Sequence, residues 1–117
     1  GEDKEAPPTK REVEPDAACR DVVVAALCDR AGGPEEVRQA FELCKHMTEK
    51  KGIPLGPKIL RLLATAVART GDERRALEVL RDMGGRKMEV DAGLRIDLML
   101  WCVRWEMKEL ARWLEEI

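Results

Sequence analysis

Few residues in this chain could carry covalent or metal chemistry. There is one histidine, His46, and no serine, so no serine–histidine couple can be built. Cys44 and His46 stand two residues apart, which on a helix turns them to different faces, so they neither chelate a metal together nor form a cysteine–histidine couple. The four cysteines, Cys19, Cys28, Cys44 and Cys102, contain no Cys-x-x-Cys pair and sit inside apolar helical patterns. They read as small core hydrophobes with reduced thiols, as expected of a reducing compartment. The acids are interleaved with bases as on a solvated face. No catalytic residue, metal site or cofactor site is expected, and the chain reads as a binding module.

The composition limits what could be bound through long-range attraction. Charged residues make up 38% of the 117, yet the net charge is only -2, so no overall field draws the chain to nucleic acid or an anionic membrane. Any affinity for a polyanion must come from local placement of bases. No run of about 18 apolar residues is present, so no membrane span is expected, and no apolar signal-peptide core opens the sequence.

Aromatic residues are 3% and β-branched residues are few, while Ala, Leu, Glu, Arg and Met abound, so the expected class is all-α. Residues 1–15 (GEDKEAPPTKREVEP) have the composition of a disordered arm or linker, which leaves 16–117 to fold. A first helix is expected from about Asp16 to Arg30, with Ala18, Val22, Ala25, Ala26 and Cys28 as its apolar side. Gly32-Gly33 ends it, and Pro34-Glu35-Glu36 starts a second helix with a stripe through Val37, Ala40, Phe41, Cys44 and Met47. A third starts after Pro57 and a fourth after Asp72, the latter closed by Gly84-Gly85. The remainder, from Asp91 to Ile117, is either one long helix or two joined near Trp105 to Met107.

The pattern repeats. With Ala40, Ala76 and Leu110 in register the steps are 36 and 34, and Met47, Met83 and Ile117 give the same steps. A period in the mid-thirties with two helices per unit is that of an α-solenoid, here of about three helix-turn-helix units over about 19–56, 57–91 and 92–117. That period argues for two helices in the last segment.

The run AVARTGDERRALEVLRDMGGRKMEVD, Ala66 to Asp91, resembles the pentatricopeptide repeat through Gly71, Ala76, Leu77, Met83 and Asp91. The first unit resembles it through LCDRAG (Leu27 to Gly32), AFEL (Ala40 to Leu43), Met47 and GIP (Gly52 to Pro54), and the third only weakly, with Trp105 where the family has Gly. The tetratricopeptide repeat shares the helix-turn-helix plan and is the second choice, lacking here its Trp-Leu-Gly-Tyr pattern. The first resemblance implies a right-handed superhelix that binds single-stranded RNA in a mitochondrion or chloroplast, one base per unit.

By that resemblance the base-facing residues are the second, fifth and last of each unit: Lys58, Arg61 and Asp91 in the middle unit and, by the 34-residue step from Lys58 and Arg61, Ala92 and Arg95 in the third. The family's usual Asn, Ser or Thr is missing at the fifth position, so Lys58, Arg61 and Arg95 would touch phosphates without reading sequence. The alternative is a protein-interaction scaffold. The segment GLRIDLMLWCVRWEM, Gly93 to Met107, is apolar almost all round, and Trp101, Trp105 and Trp113 are candidate protein contacts unless the last helix covers the core with them. The two readings differ in one observable. RNA needs a basic face free of acidic partners, whereas a scaffold allows Asp91 and Asp97 to neutralise it.

Overall fold

A computed structural model describes residues 17–29 and 32–117. The expected arm over 1–15, the Asp16 cap and Arg30 lie outside the described residues. Those described form six helices: α1 (Ala17–Leu27), α2 (Pro34–Lys51), α3 (Pro57–Arg69), α4 (Glu73–Gly85), α5 (Ala92–Trp105) and α6 (Lys108–Glu115). No strand occurs among them, so the chain is all-α.

The starts of α2 to α6 are each marked by a proline or by a carboxylate that accepts from a backbone N–H. Pro34 and Pro57 open α2 and α3, where the missing N–H costs nothing. At α2 the Glu36 carboxylate also accepts from the Gly33 N–H at 2.9 Å. Asp72 caps α4 by accepting from the Arg75 N–H at 3.2 Å, and Asp91 caps α5 by accepting from the Leu94 N–H at 2.9 Å. Helix α6 has no side-chain cap of its own. Glu73, at the start of α4, accepts from the Leu110 N–H at 2.9 Å and serves instead, so α6 is held by the preceding hairpin.

The helix ends recur with a fixed spacing. Among the described residues four have positive φ: Gly52 (67°), Gly71 (80°), Lys87 (60°) and Glu106 (56°). Gly52 and Lys87 are 35 residues apart, and so are Gly71 and Glu106. Behind Gly71, Lys87 and Glu106 the next N–H returns to a carbonyl of the last helical turn at 2.9 Å, a left-handed closure of the helix. Gly71 is required twice over, since a Cβ there would also lie 2.9 Å from the Trp105 ring. The turn expected near Trp105 to Met107 is therefore present, and α5 and α6 are separate helices. The left-handed residue that corresponds to Gly71 is Glu106 rather than Trp105, which shifts the sequence register there by one.

Helix α3 is central: it packs against α1, α2, α4 and α5. Its buried residues, Ile59, Leu60, Leu63, Ala64, Ala66, Val67 and Ala68, leave little of it facing water. Helix α1 pairs with α2, α3 with α4 and α5 with α6, while α1 lies beside α3, α3 beside α5 and α4 beside α6. Ala40, Ala76 and Leu110, aligned in the sequence, are each 0% exposed. Met47 and Met83 are buried too, but Ile117 is exposed, since α6 ends at Glu115 before reaching it.

Helix α1 departs from expectation. Its buried face is Arg20, Val24 and Cys28, a spacing of four, whereas Ala18, Val22, Ala25 and Ala26 face out. Arg20 is buried because the turn between α2 and α3 offers it carbonyls: Nη1 donates to Ile53 O and Pro54 O, both at 3.2 Å. Nε and Nη2 bind the Asp21 carboxylate at 3.0 and 2.9 Å. Two other arginines do related work. Arg86 Nη1 donates to Leu55 O at 2.8 Å, and Arg69 Nη1 and Nη2 donate to Gly32 O and Asp29 O, both at 3.1 Å. The inter-helix turns are thus tied by guanidinium groups, which carry enough donors to satisfy several carbonyls at once.

Candidate binding face

Because α1 and α3 lie side by side, their outward residues form a shared groove of about 620 Å³. Val22 and Ala25 from α1 and Leu62 and Thr65 from α3 give it an apolar floor, and Lys58 and Arg61 stand at its rim. Val22 is 70% exposed, a large apolar side chain left in water. Pro57, fixed at the first turn of α3, sets where Lys58, next to it, and Arg61, one turn later, emerge.

Of the three bases expected to meet phosphate, one, Arg61, is already paired. Arg61 Nη1 binds Asp91 Oδ2 at 2.7 Å, across 30 residues of sequence and from α3 to the cap of α5. The Arg61 guanidinium holds the Asp91 carboxyl below its usual range, with the Leu94 N–H adding to the effect. Reciprocally, the hydrogen bond that Arg61 donates to Asp91, together with the charges of Asp91 and Asp97, raises the pKa of Arg61. Both side chains are about half exposed, so the pair contributes little to stability. Its consequence is local neutrality, and Asp91 serves as cap and counter-ion together.

Lys58 is exposed and has no ion-pair partner among the described residues. Arg95 is exposed as well. The caps Gly56 and Asp91 are 35 residues apart, so the α5 residue equivalent to Arg61 is Ile96. Arg95 stands about 100° round the helix from that position. The structure therefore brings Lys58, Arg61 and Asp91 together and does not align Arg95 with them.

The tryptophans do not form a free aromatic patch. Trp101 and Trp113 are partly buried against the core. Trp105 is 48% exposed, but its ring covers Gly71 and its Nε1–H donates to Arg69 O at 3.0 Å, fastening the end of α5 to the α3–α4 turn. The free apolar surface of α5 is a different one: Ile96, Leu100 and Val103 are 60%, 63% and 77% exposed and lie at i, i+4 and i+7. Only the all-round apolar character of Gly93 to Met107 signalled this stripe in the sequence.

Cys44 is buried and His46 exposed, so the two side chains do face apart. Burial pushes the Cys28 and Cys44 thiols up to about 11 and raises that of Cys102, which keeps all three protonated near neutrality and poor as nucleophiles. Among the described residues no group of three His, Cys, Asp or Glu side chains converges as a metal ion would require. No helix among them is long and apolar enough to cross a membrane.

These features define an all-helical chain with an apolar groove on one face. Comparison with known protein families, characterised proteins and solved structures finds no match to this chain.

Proposed function

We propose that the chain is a non-catalytic, pentatricopeptide-like helical-repeat module that binds another protein across the α1–α3 groove. The repeat reading is supported by the 35-residue recurrence of left-handed residues and caps, and by the succession α1, α3, α5 along one side. The observation that carries the choice of a protein partner is the Arg61–Asp91 pair, which cancels the central base of the face while leaving the apolar floor open. The groove suits a partner segment that presents two or three apolar side chains and a carboxylate for Lys58. Single-stranded RNA is the second reading, favoured by exposed Lys58 and Arg95.

The test is affinity capture from an extract, before and after ribonuclease, using the wild-type chain and a Val22→Glu/Leu62→Glu double variant. Bound proteins are expected to survive ribonuclease and to be lost with the double variant, whose changes put charge into the groove floor. Co-purification that disappears with ribonuclease would overturn the protein reading in favour of RNA.

A further inference from the structure

The outer edge of α5 carries an apolar stripe that the groove reading leaves unused, and its charges have a symmetry of their own. Ile96, Leu100 and Val103 make one exposed stripe along it. Beside the stripe, on one flank, lie Asp97 and Arg104, seven residues apart and so close to two full turns. Both are exposed, and neither is in an ion pair within the chain among the described residues. Arg104 lies against the Trp105 ring at 5.9 Å, which orients it along the helix end.

An isologous two-fold contact brings the same flank of both helices together in antiparallel order. About an axis near Leu100, Ile96 then meets Val103 of the second copy and Leu100 meets Leu100. Asp97 meets Arg104 of the second copy, and the axis makes each of these contacts twice. A parallel two-fold contact would instead bring opposite flanks together, so that Asp97 and Arg104 would not meet. From this pattern we infer that α5 is a self-association edge, whose occupant is the α5 of a second copy of this chain, packed antiparallel. One helix pair buries less than the roughly 1,200 Å² of a standard stable interface, so the dimer is weak and concentration-dependent, in the micromolar range.

The inference goes beyond the groove reading and does not depend on it, since the residues involved are different. It is tested by sedimentation equilibrium of the full chain from micromolar to near-millimolar concentration. Wild type is expected to pass from monomer to dimer, and Leu100→Glu, which sets two carboxylates against each other at the axis, to stay monomeric. Asp97→Arg and Arg104→Asp are each expected to weaken dimerisation by about tenfold, since each puts two repulsive contacts in place of two attractive ones. The double exchange Asp97→Arg/Arg104→Asp is expected to restore it, which a merely adhesive patch would not do. All three positions are exposed, so unchanged thermal melts confirm that the variants fold. A wild-type monomer throughout, or a double exchange that fails to recover, overturns the proposal. Either result leaves the extract-capture outcome for Val22 and Leu62 to stand or fall by itself.

Discussion

Truncating Leu98 to Ala is expected to lower the unfolding free energy by about 2–5 kcal/mol. Leu98 is 0% exposed on α5, flanked along the same face by Leu94 and Cys102. This face joins the last hairpin to the rest, because α5 meets α3 on one side and α6 on the other, while α6 also rests on α4. Removing three carbons there loses transfer free energy and leaves a cavity that two helices cannot both collapse into. Two residues further along the same helix, Leu100→Ala is expected to change stability by less than about 0.5 kcal/mol, because that side chain is already in water. Urea denaturation of the two variants checks both values. Equal losses would mean that the buried and open faces of α5 are wrongly assigned.

Replacing Arg20 has the second large effect, and it separates polar satisfaction from packing. Arg20 is 2% exposed, and its guanidinium is the partner of the Ile53 and Pro54 carbonyls and of the Asp21 carboxylate. Arg20→Met keeps most of the buried stem and removes only the donors, with an expected loss of about 1–3 kcal/mol from the stranded carbonyls. Arg20→Ala adds a void and is expected to cost more, about 2–5 kcal/mol. Asp21 is partly exposed and can recover water, so its lost partner adds little. If Arg20→Met melted like wild type, the guanidinium would not be what joins α1 to the α2–α3 turn.

Elements were legible where glycine, proline and aspartate punctuate the chain. Pro34, Pro57 and Asp72 mark helix starts through backbone chemistry that acts within a few residues, and the sequence placed all three. The α1 face was misread because apolar periodicity counts an arginine as outward, and carbonyls 33 and 34 residues away bury this one. Arg95 was aligned with Arg61 through a 34-residue step taken from the core residues of α6. The caps run at 35, and one residue on a helix is enough to turn a side chain off the face. Ile117 shares in that difficulty: it fits the spacing, but α6 stops two residues earlier. For the candidate site, the sequence named Arg61 and Asp91 and posed neutralisation as an alternative. Only the packing of α5 beside α3 brings the two within 2.7 Å. The exposed stripe on α5 was half visible, as apolar character with no direction, since direction depends on which neighbours exist.

Fluorescence anisotropy with a mixed-sequence single-stranded RNA at low and moderate salt tests the central claim most directly, with wild type beside an Arg61→Glu/Arg95→Glu variant. A face whose central base is paired should release few counter-ions. The result expected is no salt-sensitive binding, with the variant indistinguishable from wild type. Tight binding at low salt that weakens steeply with added salt and vanishes in the variant would contradict the account and assign RNA to the α3–α5 side.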